Sequence, residues 1–367
     1  MNKEPARFGL LFLLAHSFVL PLAAEEGRRP IFERTVITEP GKYILTRDIP
    51  QGSGVAIEVA SGIDHVDIDL NGFTVYGNPV GGPGTYAITA NTVGSNVTIH
   101  NGHINALGGF GIYVRAEKAV LEDLQVTLSS VSLGVQVFGV SPTSSAVVRR
   151  NSVQGGNGQC LLFGNFIPGQ TYTGSIESNV LVGCGADGLQ ILAGAGLSVR
   201  NNRIKGCNQD GISITGCDGC LFTDNTIEGC GSDGIVADTV RGSTFQGNTI
   251  RNVGRNGILL DGVPDGADDN LILNNVVSLS STNGIWINGG SRNQIDQNVI
   301  NGSGDFGILF DSLSAATGPN TFGRNTVTGN TGGLGTCASS VCDPAQVCDD
   351  SGNVSFGDNI APGPGPC

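Results

Sequence analysis

The sequence predicts an all-β solenoid, in which short strands stack on one another in parallel sheets. A unit of about 23 residues recurs through the second half of the chain, and 58 of the 367 residues are glycine. Each unit has room for two or three short strands but too few residues for a crossover helix. A single unit cannot bury its apolar face, so we expect the units to stack and form one continuous core.

The first segment of the chain predicts export. Lys3 and Arg7 precede the apolar run "FGLLFLLAHSFVLPLAA", which ends on small residues at Ala24. This pattern is typical of a cleavable secretory signal over residues 1–24. His16 and Pro21 interrupt the run, which is too short for a permanent anchor, and no later segment approaches a membrane span. We therefore expect a secreted or periplasmic protein without a membrane span.

The charge balance excludes some partners. Residues 1–24 hold two basic residues and one acidic residue, so removing them moves the formal net charge from −13 to −14. Nucleic acid does not suit such a chain, because phosphate contacts need clustered Lys and Arg. A polyanionic polysaccharide would also be repelled unless divalent cations bridged the charges.

The repeat is marked by a column of asparagines. Their spacings are 28, 23, 23, 23, 27, 23 and 27 residues, and the column consists of Asn151, Asn179, Asn202, Asn225, Asn248, Asn275, Asn298 and Asn325. We expect these amides to bond from turn to turn along the axis, as asparagine ladders do in other stacked β structures.

A glycine follows at the ninth position after six of these asparagines, and a short strand follows each glycine. The glycines are Gly188, Gly211, Gly234, Gly257, Gly284 and Gly307, and the strands read "LQI", "ISI", "IVA", "ILL", "IWI" and "ILF". Alternation along these strands places Ile212, Ile235, Ile258, Ile285 and Ile308 on the inward face. A second strand ends at each asparagine, as in "LFTDN" and "LILNN".

These features resemble the right-handed parallel β-helix of pectate-lyase-like proteins, whose repeat is called PbH1. The segments "GKYILTRDIP", "HVDIDLNGFTVYG" and "NVTIHNGHI" look like the first rungs of that fold, so the resemblance covers roughly residues 35–335. It implies about eleven rungs at ~4.8 Å in a β-helix domain spanning 25–335. Proteins of this fold include lyases, hydrolases, epimerases, adhesins and binding proteins, so the fold alone does not give the function.

Asp187, Asp210 and Asp233 directly precede the repeated glycine, and the next two units have Asn256 and Asn283 there. Asp and Asn before Gly suit a tight turn, where the side chain bonds local backbone and Gly supplies a positive φ. Interchange of Asp with Asn suits a turn better than an acid catalyst. We therefore expect a structural role for this column.

The outward face of the repeated strand is more informative, because packing does not dictate it. Four consecutive units place Asp238, Asp261, Asn288 and Asp311 in one outward column. A second outward column contains Val236, Leu259, Trp286 and Leu309. The two units of 27 residues insert "DGVPDGADDN" and "DSLSAATGPN" beside the acidic column, and longer loops beside a regular sheet are where such a scaffold carries a site.

This face favours a carbohydrate site. Trp286 can pack against a sugar ring, and carboxylates one or two rungs apart match the separations in retaining or inverting glycosidases. We predict that Asp261 acts with Asp238 or Asp311 to cleave a glycosidic bond, as a hydrolase or lyase, and that substrate-binding residues are Trp286, Asn288, Leu259 and Arg255. The alternative is a non-catalytic protein that binds a polysaccharide or another surface with the same face.

Metal binding is a competing role for some of these residues. Asp265, Asp268 and Asp269 in the first insert supply oxygen ligands of the kind that calcium prefers. Copper, which some periplasmic β-helix proteins bind, would have only three histidines after cleavage of the signal: His65, His100 and His103. An exposed polar pair explains the last two more simply.

The motifs of specific enzyme families are not matched. The Asp pair at 268–269 and "RIK" at 203–205 resemble polygalacturonases, but the Gly-His-Gly motif is absent and the order of the two motifs is reversed. The base segment of pectate lyases and the "DPH" of alginate epimerases are absent as well. A lyase base or charge neutraliser at Arg255 or Lys205 has no specific support.

Ten cysteines in an exported chain favour disulfides. Cys184, Cys207 and Cys230 form one column, which leaves one thiol unpaired unless Cys160 or another cysteine joins. The alternative is a ladder of buried thiols, and the pair in "CDGC", Cys217 and Cys220, lies in a turn. Four cysteines fall in a Gly/Pro-rich segment over 336–367, which we expect to form a disulfide-stapled cap: Cys337, Cys342, Cys348 and Cys367.

Overall fold

The computed structural model describes residues 27–80, 85–91, 96–129, 133–165, 171–263, 266–310 and 319–331, and the backbone of three short strands between 342 and 355. It is an all-β parallel solenoid of about 12 turns, which confirms the predicted fold class. The predicted signal at 1–24 and most of the predicted cap at 336–367 lie outside the described residues. No helix in the described ranges is long and apolar enough to cross a membrane.

One sheet, here called the front sheet, receives one strand from each turn. Its 14 strands are β2 (Thr35–Ile37), β4 (Ile57–Val59), β7 (Tyr86–Asn91), β9 (Phe110–Arg115), β11 (Leu133–Phe138), β14 (Leu161–Gly164), β17 (Leu189–Ala195), β20 (Ile212–Asp218), β23 (Ile235–Arg241), β26 (Ile258–Asp261), β29 (Ile285–Asn288), β32 (Ile308–Phe310), β35 (Cys342–Asp343) and β36 (Val347–Asp349). They pair in parallel except for β35 with β36.

The other sheet, here called the back sheet, receives two strands from a typical turn. Its 23 strands are β1 (Arg29–Ile31), β3 (Gly41–Leu45), β5 (Val66–Asp69), β6 (Thr74–Tyr76), β8 (Asn96–Ala106), β10 (Lys118–Leu128), β12 (Ser145–Arg149), β13 (Ser152–Gly155), β15 (Thr173–Glu177), β16 (Val180–Val182), β18 (Ser198–Arg200), β19 (Arg203–Lys205), β21 (Leu221–Thr223), β22 (Thr226–Glu228), β24 (Thr244–Gln246), β25 (Thr249–Val253), β27 (Leu271–Leu273), β28 (Val276–Ser280), β30 (Gln294–Asp296), β31 (Val299–Asn301), β33 (Thr321–Gly323), β34 (Thr326–Thr328) and β37 (Val354–Ser355).

The asparagine column marks the bend between the two back-sheet strands of each turn. The residue before each asparagine is left-handed, as at Asn201 and Asp224, both with φ of 55°. The asparagine then turns inward, and Nδ2 of Asn202 donates to Oδ1 of Asn225 at 3.0 Å. The same bond recurs along the column from Asn151 to Asn325. The predicted ladder is therefore confirmed.

A second ladder was not anticipated. It lies at the bend that leads from the front sheet into the back sheet, where Asn270 donates to Asn293 and Asn293 donates to Asn320, each at 3.0 Å. Ser243 begins this ladder with its backbone N–H on Asn270. Among the described turns three contribute an asparagine to this ladder, which is too few for a clear column in the sequence.

The core runs along the axis between the sheets. The inward isoleucines of the repeat, including Ile235, Ile258 and Ile285, are all fully buried. Phe222 and Phe245 stack between adjacent turns with ring centroids 4.9 Å apart. Burial of these side chains in every turn supplies the apolar stabilisation that a single turn lacks.

The repeated glycine is needed for a different reason than the sequence suggested. Gly211 does not have a positive φ, nor do its counterparts in the other turns. Instead, a Cβ at Gly211 would lie 2.4 Å from Cγ2 of Ile227 and 2.5 Å from the carbonyl oxygen of Gly234. The expectation of a left-handed glycine was wrong, because close approach of the next turn excludes a side chain.

The aspartates before this glycine form a buried structural ladder. The backbone N–H of Asp210 donates to Oδ1 of Asp187 at 3.1 Å, and that of Asp233 donates to Oδ1 of Asp210 at 2.9 Å. Asn256 continues the ladder on Asp233 at 2.8 Å. Burial raises the pKa of Asp187 to about 6 and also raises the pKa of Asp210. The predicted structural role is confirmed.

The cysteines divide between disulfides and buried thiols. Cys160 pairs with Cys184, with Cα atoms 5.4 Å apart, and Cys217 pairs with Cys220. Cys207 and Cys230 are free and buried. The hydrogen bond to Cys230, together with burial, raises the pKa of the Cys207 thiol. The column thus shows both predicted arrangements, because Cys184 forms a disulfide with Cys160 while Cys207 and Cys230 remain as buried thiols.

Candidate functional site on the front sheet

The acidic column of the front sheet has the register that the repeat predicts. Asp238 lies directly opposite Asp261, and Asp261 lies opposite Asn288 on the next strand. Asn288 donates from Nδ2 to Oδ1 of Asp261 at 3.0 Å, and Thr239 donates from its hydroxyl to Oδ1 of Asp238 at 2.8 Å. All three column residues are half-buried. The first two carboxylates therefore lie on adjacent turns, and each is held by a polar neighbour.

These two acids differ from the acids on the back sheet. Most back-sheet carboxylates are paired with arginines one turn away, as in Glu177 with Arg200 at 2.9 Å and Glu228 with Arg251 at 2.6 Å. Among the described residues, neither Asp238 nor Asp261 has an ion-pair partner. A half-buried pair of carboxylates without a cation partner in the described ranges can accept hydrogen bonds from a ligand.

The apolar column beside the acids is only partly open. Trp286 is half-buried, and its indole N–H is enclosed without a hydrogen-bond partner among the described residues. Leu259, opposite Trp286, is only 5% exposed, whereas Val236 and Leu309 are half-buried. Trp286 is thus only partly accessible, and Leu259 contributes little contact area.

One predicted residue, Arg255, lies away from this group. Arg255 precedes β26 and lies at the opposite end of that strand from Asp261. Its guanidinium is 3.6 Å from Asp233, in the buried aspartate ladder. Asp311 lies outside the described residues.

The described aspartates of the predicted calcium site are held by protein groups. Asp269 forms a two-point ion pair with Arg292 at 2.7 Å, which lowers the pKa of Asp269. Asp268 accepts the backbone N–H of Ser291 at 2.7 Å. Asp265 lies outside the described residues.

A cluster of aromatic and basic side chains on the same sheet was missed in the sequence. Tyr86, Phe110 and Tyr113 come from β7 and β9, with ring centroids 4.9 Å apart for Tyr86 and Phe110 and 5.1 Å for Tyr86 and Tyr113. Arg115 projects from the same face of β9, two residues after Tyr113. We call these four residues the aromatic–arginine patch.

The patch is several turns from the acids. Along the front sheet, Arg115 is opposite Phe138, and the same register passes through Gly164, Leu192 and Thr215 to Asp238. Five turns at ~4.8 Å place the two groups about 24 Å apart. The signal in the sequence was the alternation in "FGIYVR", which puts Tyr113 and Arg115 outward.

Together, the parallel turns and the open front sheet place this protein in the class of parallel β-helix proteins. The family model described as periplasmic copper-binding protein (NosD) matches residues 141–336. Because that range spans more than half of the chain, the protein belongs to this family.

Solved structures share the fold at low sequence identity. A mutant of the periplasmic alginate epimerase AlgG is 16% identical, with 76% of each chain covered and a TM-score of 0.53. The A-module of mannuronan C-5 epimerase AlgE4 from Azotobacter vinelandii is 14% identical, with 90% of each chain covered and a TM-score of 0.54. The Agl-KA catalytic domain is 14% identical over 86% of this chain and 62% of that one, with a TM-score of 0.65.

Among curated proteins, no sequence matches this chain.

The family description raises the question of copper, which the described histidines do not fit. Nε2 of His100 is 3.0 Å from Asp67, Nδ1 of His65 is 3.0 Å from Asp64, and Nδ1 of His103 contacts the carbonyl oxygen of Gly72. Within the described residues, no three His, Cys, Asp or Glu side chains are grouped to hold a metal ion.

Proposed function

We propose that this is an exported protein that cleaves a glycosidic bond on its front sheet. The observation that carries the proposal is the register of Asp238 with Asp261, two half-buried carboxylates on adjacent turns with no cation partner in the described ranges. Backbones ~4.8 Å apart suit the ~5 to 5.5 Å between the carboxyl groups of a retaining glycosidase. The predicted signal and the membership in a periplasmic family support the location.

In this proposal one of the two carboxyl groups, Asp261 or Asp238, acts as the general acid and the other acts as the nucleophile. Asn288 holds one oxygen of Asp261, which leaves the second oxygen for the substrate. The half-buried ring of Trp286 would support one sugar face beside the reacting bond. A lyase that uses one of these two carboxylates as the base belongs to the same proposal.

Proteins with a similar structure support a carbohydrate ligand by analogy. Two of them bear names of epimerases for alginate or mannuronan. A shared fold does not carry a reaction from one protein to another.

The test is product release from a panel of neutral and acidic polysaccharides, with and without calcium. We expect Asp261→Asn and Asp238→Asn each to lower turnover by roughly 100-fold or more, because each removes a proton-transfer or nucleophilic group. Asp224→Asn removes an exposed acid on the bend of the back sheet and serves as the matched control. Turnover that persists in Asp261→Asn would overturn the proposed roles.

A second function, binding without cleavage, would be favoured by a different outcome. The enclosed N–H of Trp286 and the burial of Leu259 restrict the space at the acids. Retention on a polysaccharide that Trp286→Ala abolishes, together with no product from any substrate, would identify a binding protein.

A further inference from the structure

We infer that the aromatic–arginine patch is a binding site for an anionic saccharide unit, carrying a carboxylate or a sulfate. This site lies beyond the acids of the proposed function and does not depend on them. The inference rests on three observations: an arginine without a partner, a set of aromatic rings beside it, and their separation from the acidic column.

The arginine is the first observation. Arg115 is half-buried, and among the described residues its guanidinium has neither an ion pair nor a hydrogen bond. The segments at 81–84, 92–95 and 130–132, which adjoin this part of the sheet in sequence, contain no acidic residue. A half-buried guanidinium with five donors favours a planar anion such as a carboxylate.

The rings are the second observation. Tyr113 contacts Tyr86 on one side and Phe138 on the other, with centroids 5.1 and 5.6 Å apart, so its ring is fixed before any ligand arrives. Burial, together with Tyr113, raises the pKa of Tyr86. A fixed aromatic face suits the apolar face of a pyranose. Tyr113 and Arg115 are two residues apart on one strand, roughly 7 Å, so one sugar unit can contact both.

The distance is the third observation. About 24 Å separates Arg115 from Asp238, which exceeds the Debye length of ~8 Å at physiological salt. At this distance the charges of Asp238 and Asp261 are screened from an anion at the patch. A nucleic acid would need several clustered cations, and the chain has a net charge of −13 with one unpaired arginine here.

Calorimetric titration with defined oligosaccharides tests the inference. The probes are a hexuronic acid oligomer, the same oligomer with its carboxyl groups reduced to alcohols, and a sulfated neutral oligomer. We expect the wild-type protein to bind the hexuronate at least about tenfold more tightly than the reduced oligomer, since the reduced oligomer lacks the charge-assisted hydrogen bond to Arg115. Preference for the sulfated oligomer would assign the sulfate as the anion.

Variants separate the patch from general charge effects. Arg115→Gln should abolish the preference for the charged oligomer and leave the affinity for the reduced one unchanged, whereas Tyr113→Ala should weaken both. Arg203→Gln removes another arginine, exposed on the back sheet, and should change neither affinity. Circular dichroism and thermal melting confirm that each variant is folded.

Several outcomes would overturn the inference. They are binding of the reduced oligomer as tight as that of both charged oligomers, no effect of Arg115→Gln, or an equal effect of Arg203→Gln. Failure of the proposed cleavage would not affect this result, because Asp261→Asn should abolish cleavage without changing the affinity of the patch for the oligomers.

Discussion

The side chain of Asn225 joins three turns of the solenoid. Its Nδ2 donates to Oδ1 of Asn248 at 3.0 Å and to the carbonyl oxygen of Val199 at 2.9 Å. Its Oδ1 accepts from the backbone N–H and from Nδ2 of Asn202, each at 3.0 Å. The side chain is fully buried, so no water can replace these bonds.

Asn225→Ala should therefore be strongly destabilising. It leaves the donors of Asn202 and the carbonyl oxygen of Val199 unsatisfied in the interior, and each unsatisfied group costs ~1 to 3 kcal/mol. We expect a loss of about 3 kcal/mol or more, measured by urea unfolding. Asn208→Ala, at an exposed position, is the control. Equal effects of the two variants would show that the ladder is not needed for stability.

Asp187 should make stability depend on pH. Burial raises its pKa to about 6 from 3.8, so the folded state binds the proton more tightly than the unfolded state. Its contribution is fully present below about pH 4 and is lost as the pH rises through about 6. Asp187→Asn keeps the acceptor for Asp210 and should be more stable than wild type at pH 8, by about 2 kcal/mol, but equal to it near pH 3.5.

Denaturant midpoints at the two pH values check this result. Asp224→Asn changes an exposed acid and should show no such difference. A wild-type protein that is more stable than Asp187→Asn at pH 8 would contradict the direction of the pKa shift.

Gly211→Ala tests the close approach between turns. The new Cβ would lie 2.4 Å from Ile227 and 2.5 Å from the backbone of Gly234, so the turns must separate, at a cost of about 3 kcal/mol. Gly206 has a positive φ of 66° and open space around it. Gly206→Ala should therefore cost only about 1 kcal/mol. If Gly206→Ala lowers the melting temperature more than Gly211→Ala does, then backbone conformation, and not packing between turns, is the reason that the repeat requires glycine.

Cys207 and Cys230 should resist modification in the folded protein. They are 3% and 2% exposed, and burial of a thiol slows its reaction with alkylating reagents. Peptide mass spectrometry after labelling with a maleimide should find both unlabelled in native buffer and fully labelled in urea. Labelling of either thiol under native conditions would show that this part of the ladder opens.

The repeat carries most of the information that predicted the fold. Asn202, Asn225 and their counterparts mark the bends because a buried amide must bond along the axis, and that requirement leaves a fixed spacing in the sequence. Gly211 was located correctly but explained wrongly, because a sequence does not reveal how closely the next turn approaches.

The site was less predictable for a physical reason. Packing in the core does not determine which residues point outward. The repeat therefore predicted the positions of Asp238 and Asp261, but it did not predict that Leu259 is buried or that Arg255 lies away from the acids. Tyr113 and Arg115 lie in early turns whose lengths vary, where no column in the sequence links them to the later units. Only strand pairing shows that they share a surface with the acids.

The regular stacking sets the distance between surface groups of the front sheet in steps of one turn. Each turn between Arg115 and Asp238 adds ~4.8 Å to their separation, and from Asn151 onward the asparagine ladder joins each turn to the next. Gain or loss of one 23-residue unit in this interval would change the distance between the aromatic–arginine patch and the acidic column by ~4.8 Å and leave both groups of residues intact. The spacing between two contacts on a long ligand could thus be changed in whole increments, by duplication or deletion of gene segments, without any change of side chain.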